Sequence, residues 1–315
     1  MGLRLRPEIP PQPNPGRRGR HRSGSRNPLL ERKNSRQGHR RRESSMSQLS
    51  RLVHIARTDF SYFFRTKWLM AVLISLSLSD MLVVGLVYGR LIPTKFAGLT
   101  YFQFLVPGIV VVGLFSAATD TGRRIWLALR EGVVQYYLTL PIRTGGLVGA
   151  YIISGGLGGI VYSGALLVIA YVALSFLGPT AIPVQGILYA LVLIPFLFVL
   201  ATGIAGLAAF FASVSRRGEM YWVYAQALQV SMVTISTVFY PAQTIARYLP
   251  APIATIAEYN PLSLAAGILR DSAFAGNPLD TSALTNLLAT SLPLAALGAF
   301  AYWIILRTIR LKGKP

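Results

Sequence analysis

Eleven acidic residues and three histidines are the whole supply of acid–base and metal-binding groups in this 315-residue chain, which has no cysteine. Their spacing supports little chemistry. His21, His39 and His54 have no metal-ligand spacing. There is no carboxylate pair, no Ser/His/Asp set and no G-x-x-x-x-G-K-[ST] phosphate loop. The chain is therefore expected to bind no cofactor or metal and to catalyse nothing by itself. Missing cysteines exclude disulfides but name no compartment.

What remains is polar residues spaced for recognition. In "REGVVQYYLTLPIRT", running from Arg130 to Thr144, Glu131, Gln135 and Thr139 recur every fourth residue and would share one helix face. Val133, Val134, Tyr137, Leu138 and Leu140 would cover the other side. Pro141 forbids smooth continuation of a helix, and Arg123, Arg124, Arg130 and Arg143 flank the segment. The pattern predicts a short amphipathic helix on a membrane surface; a plain interfacial loop fits the same residues. A separate acid, Asp80, interrupts an apolar run. A central aspartate costs roughly 2.5–3.5 kcal/mol in a bilayer, so it should face protein or water. It would then line a path or a dimer contact, unless it sits near the outer interface, where the cost is small.

The elements that position these residues follow from composition. Hydrophobic residues make up 53% of the chain and charged ones only 13%, about half the charged share of a soluble domain. Mean hydropathy is +0.50, so the chain reads as an integral membrane protein. The net charge of +20 does not imply nucleic acid, because 17 of the 31 Lys and Arg lie in residues 1–67. Residues 1–47 are rich in Pro, Gly, Ser and Arg and read as a disordered basic tail, suited to anionic lipid headgroups. Met46 would also open a reasonable shorter chain. From Ser47 to Lys67, apolar residues at helical spacing predict an amphipathic helix lying on the membrane.

Six spans are expected, at about residues 69–87, 102–119, 147–177, 185–212, 221–240 and 283–306. The uncharged run from Thr144 to Ser215 covers 72 residues. A span needs about 20, so this run crosses at least twice; "GPTAIP" at 178–183 supplies the turn. With both termini inside, cytoplasmic loops after the first span hold ten Lys and Arg and outer loops four, as the positive-inside rule requires. Gly155, Gly156, Gly158 and Gly159 suit close helix approach or a bent helix, and Pro107, Pro195 and Pro293 should kink their spans.

The order of parts resembles the membrane subunit of ABC type-2 transporters, exporter permeases for drugs and lipid-linked saccharides. Glu131, Gly132, Leu138, Thr139, Leu140, Pro141, Ile142 and Arg143 are similar to that family's segment after the second span. In "EYNPLSLAAGILRD", Asn260, Pro261, Leu262 and Arg270 are similar to its N-P-L motif and following basic residue. The likeness runs from about Gln48 to Arg310 and leaves out the tail.

The resemblance implies an all-α integral membrane protein with six transmembrane helices, an N-terminal interfacial helix and a re-entrant helical pair before the last span. Residues 48–315 would form the permease domain, in the cell membrane with both termini cytoplasmic. Residues 130–143, with Arg130, Glu131, Gly132, Gln135, Leu138, Pro141 and Arg143, would be a coupling helix seated in a separate ATPase subunit. ATP and magnesium would be held by that partner. A second permease copy or paralogue would complete the assembly. Two other functions stay open on the residues: an ion-coupled secondary transporter with Asp80 at mid-membrane, and a membrane scaffold with no cargo.

Overall fold

The computed structural model describes residues 48–65, 67–84, 87, 100–177 and 184–312. The expected disordered tail and the turn at 178–183 lie outside them. All regular structure among the described residues is helical. Helix α1 spans Gln48–Arg65, and α2 spans Lys67–Ser79 and continues as a π-helical turn, Asp80–Val84. Next come α3 (Tyr101–Arg130), the short α4 (Val133–Thr139), α5 (Thr144–Leu177) and α6 (Val184–Val214). Helix α7 (Gly218–Gln229) ends in a π-helical turn, Val230–Thr234. Three short helices, α8 (Ala242–Tyr248), α9 (Ala251–Glu258) and α10 (Pro261–Ile268), lead through the π-helical turn Leu269–Phe274 to α11 (Thr281–Lys312).

Four of these helices, α3, α5, α6 and α11, are long and apolar enough to cross a membrane, and the protein is membrane-embedded. The expected spans at 69–87 and 221–240 fall on the shorter stretches α2 and α7. Helix α7 was expected to reach Tyr240, but its turns stop at Thr234 and residues 235–240 bend. The expected second span stopped at Thr119; the helix instead runs on to Arg130. The charges after Thr119 end the apolar stretch without ending the helix. Arg123 Nε donates to Asp120 Oδ1 at 2.7 Å, one turn back, and such pairs support a helix outside lipid. At 1.5 Å per residue, about ten extra residues project roughly 15 Å past the apolar part.

Local signals explain the ends. Thr100 and Gln103 form a reciprocal capping box at the start of α3. Asn260 caps α10, with Pro261 in its first turn, where no backbone donor is missed.

Lipid tails are as apolar as leucine, so helices pair in a membrane by close packing rather than by hydrophobic drive. The closest pairing joins α6 and α11. A Cβ on Gly206 would lie 3.0 Å from backbone of Gly298, and one on Gly298 would lie 2.7 Å from Leu207 N. In α5, Gly155 and Gly159 turn toward α3 and α6, against Thr121, Ala205, Ala201 and Leu114; small residues permit that approach. Outward faces carry the exposed apolar residues, such as Val168 and Val172 on α5, Leu188 and Leu191 on α6, and Leu297 and Phe300 on α11. Gly206→Val is expected to cost about 1–3 kcal/mol through overpacking. That should appear as a lower unfolding temperature in detergent, and an unchanged temperature would contradict the packing described.

Candidate functional site

Two polar constructions stand out in the apolar bundle, one at each end of α3. Near its beginning, the bent segment 235–240 leaves carbonyls outside any helical ladder. Arg270 takes two of them, donating from its guanidinium to Val238 O at 2.6 Å and Thr237 O at 3.1 Å. Its Nε donates to Phe104 O of α3 at 2.8 Å, and the guanidinium lies 3.8 Å from the Phe104 ring centroid. Asn260 Nδ2 donates to Met232 O and Ile235 O at 2.7 and 2.8 Å, while its Oδ1 accepts from Leu262 N. Ser263 Oγ accepts from Thr237 N at 2.8 Å. Gly108 makes room for this: a Cβ there would sit 2.5 Å from Val238 O. Arginine suits the position because its planar fork holds several donors in fixed directions, without deprotonating on burial.

The far end of α3 forms a corner. Glu131 N–H donates back to Leu127 O at 2.9 Å. Gly132 adopts φ +75°, a left-handed conformation that costs a side-chain-bearing residue about 1–2 kcal/mol. The chain thus leaves α3 and starts α4 after a two-residue turn. Gln135 Nε2 donates to Leu129 O at 3.0 Å, capping the end of α3. Val134 and Leu138 are buried among Ile125, Leu147 and Tyr151, which fixes α4 to the bundle. Beyond Thr139, Pro141 ends α4, and Arg310 of α11 donates to Ile142 O and Thr144 Oγ1, each at 3.2 Å.

Of the expected coupling residues, then, Leu138 and Gln135 support the corner from within. Glu131, Tyr136, Thr139, Pro141 and Arg143 form its uncovered side. Tyr136 is 61% exposed and was not singled out in the sequence; its place beside Tyr137 concealed which ring faces outward. Arg130 donates to Arg216 O at 2.9 Å and lies over the Trp126 ring, so it ties the corner to the start of α7. Asp80 begins a π-helical turn and is exposed on the surface of the single chain, while its neighbour Met81 is buried. Of the residues expected to form a re-entrant motif, Asn260, Leu262 and Arg270 are buried.

A buried cluster that the sequence reading missed lies just behind the corner. Asp59 of α1 accepts twice from Arg124 of α3, through its main-chain oxygen at 2.8 Å and through its carboxylate. Ser154 of α5 donates to the same carboxylate at 2.6 Å. Arg124 also donates to Thr121 Oγ1 at 3.0 Å. Burial pushes the Asp59 carboxyl up, while the Arg124 guanidinium and the Ser154 hydroxyl act against that push. The helical periodicity of α1 could have pointed to it, since Asp59 shares a face with Leu52 and Ile55. Among the described residues no group of His, Cys, Asp or Glu is placed to hold a metal.

Two substitutions test these constructions. Arg270→Lys replaces a planar fork by a compact point charge that cannot reproduce its spread from Phe104 O to Thr237 O and Val238 O, and a buried carbonyl left unpaired costs about 1–3 kcal/mol. Hydrogen exchange at residues 235–240 should quicken while α5 is unchanged; equal exchange would contradict the clamp. Nothing lies within 4 Å of a Cβ at Gly132, so Gly132→Ala should lower stability by about 1–2 kcal/mol through backbone strain alone. Gly132→Asn should lose less, and an alanine variant as stable as the parent would contradict the left-handed turn.

In comparisons with known proteins, no family model and no curated protein matched the chain.

Proposed function

We propose that the chain is the membrane-spanning permease of an ATP-driven exporter of the ABC type-2 kind, working as a pair with a second copy or paralogue. The observation that carries this is the corner at Glu131–Gly132. A rigid helix end stands beyond the apolar zone. Its inner side is fixed by Val134, Leu138 and Gln135, and Glu131, Tyr136, Thr139, Pro141 and Arg143 are left uncovered. That is the form a coupling helix needs: a firm knob for a partner's groove, continuous with a helix that spans the membrane. ATP and magnesium belong to the partner ATPase on this reading, and the cell membrane is the setting, with both termini cytoplasmic.

Six spans are part of the same proposal. With their π-helical turns, α2 and α7 run for 18 and 17 residues, about 25–27 Å at helical rise. That nearly matches a hydrocarbon core of about 30 Å. On this reading α10, with Asn260, Pro261 and Leu262, belongs to the re-entrant pair, and the exposed Tyr248, Leu249, Ile253, Ile256 and Tyr259 before it suit an outer interface rich in aromatic and apolar groups. The bent segment after α7 invites a second reading, an ion-coupled transporter that coordinates its ion on freed carbonyls. The engagement of those carbonyls by Arg270 and Asn260 favours the first reading: a tethered cation already sits where a free one would bind.

The test is a tagged pull-down from gently solubilised native membranes, comparing the parent with Tyr136→Arg and with Tyr240→Arg, a second exposed tyrosine away from the corner. A nucleotide-binding ATPase should accompany the parent and the Tyr240 variant near stoichiometrically, and fall about tenfold or more with Tyr136→Arg, as for loss of an interface hot spot. Equal recovery with all three, or no ATPase at all, would sink the proposal.

A further inference from the structure

We propose that Asp59 and Arg124 are the positioning contact through which movement of the α3–α4 corner reaches α1 and, beyond it, α2; this rests on the reading of the corner as an ATPase seat. Arg124 lies less than two turns before the end of α3 at Arg130. Asp59 likewise lies less than two turns before the end of α1 at Arg65, and α2 begins just beyond that end. Helix α1 packs mainly along α5, not along α3. A cavity of about 190 Å³ separates the rest of α1 from the corner; Thr58, Ser61 and Tyr62 line one side, and Glu131, Val133 and Tyr137 the other. Apolar packing still joins them on the bundle side, where Ile55 shares a cluster with Val134 and Leu138, but such contacts carry no fixed direction. A directional link lies at the floor of the cavity, where Asp59 meets Arg124.

The geometry of the link suits transmission. Arg124 holds the main-chain oxygen and the carboxylate of the same residue, which fixes both the height and the rotation of α1. Thr121 steadies the guanidinium from within α3, and Ser154 brings α5 to the same carboxylate. Apolar contacts such as Leu52 against Gly146 allow sliding, whereas paired charge-assisted hydrogen bonds resist it. A buried ion pair is weak evidence of stability, since apolar replacements of similar volume are often neutral. That separates a positioning role from a merely structural one.

Because the chain has no cysteine, a single reporter can be placed directly. Trp68 in the first turn of α2 is 86% exposed, and Trp68→Cys places the thiol at the end of the proposed span, where water reaches it. Its labelling by a membrane-impermeant maleimide is read in the full chain reconstituted with its co-purified ATPase, with and without ATP plus vanadate. The parent should show a nucleotide-dependent change of at least about fivefold, the lower end of coupling between linked sites. In the Asp59→Leu, Arg124→Met double variant the complex should assemble, melt as the parent does and hydrolyse ATP, yet the labelling change should fall below about twofold. Asp59→Asn, a smaller change, should fall in the same direction, and Asp59→Glu should recover part of the response. A full labelling change in the double variant and in Asp59→Asn would overturn the inference and leave the corner reading intact. Absence of any nucleotide effect in the parent would instead overturn the corner reading, and the inference with it.

Discussion

A helix that breaks where its backbone is buried must find donors for the carbonyls it frees, because no water is there to supply them. Arg270 meets that constraint for the bent segment 235–240, and much of the bundle is arranged around it. Its Nε reaches Phe104 O, so the same guanidinium ties the end of α7 to the first turn of α3. Gly108 keeps α3 close enough for the contact, and Asn260 and Ser263 hold the remaining groups from α10. Without the clamp, the buried carbonyls of Thr237 and Val238 would lose their donor beside α3 and α10.

Helix α3 carries the consequence to the other side. It is buried along most of its length, flanked by α5 and α6, and it is the element from which the corner is built. The clamp and the corner therefore lie at the two ends of one continuous helix. The α6–α11 pairing, locked through Gly206 and Gly298, gives α3 a firm surface to move against.

The long apolar helices were legible in the sequence because 72 uncharged residues admit little else, and the short helix before Pro141 was legible from its four-residue repeat. Helix α3 outran its expected end because hydropathy marks the limit of the apolar stretch, while Asp120 and Arg123 sustain the helix past it. The break at 235–240 was hidden for the opposite reason. "ISTVFY" is as apolar as a span, and only Ser263, Asn260 and Arg270, some 25 to 35 residues away, make the bend tolerable. Gln135 and Leu138 fit the expected amphipathic pattern yet turn inward, since a helix of seven residues has room for few inward positions and the end of α3 needs a cap. Asp59 and Arg124 were out of reach of any local pattern, being 65 residues apart.

The most direct test of the central claim is to ask what touches the corner in the native membrane. A single cysteine at Thr139, otherwise unique in the chain, can carry a short photo-activated cross-linker in intact membranes, with the adducts identified by mass spectrometry. The account expects an adduct with a nucleotide-binding ATPase, weakened when the same experiment is run on the Tyr136→Arg background. Adducts with lipid alone would contradict it and leave the corner an ordinary surface turn.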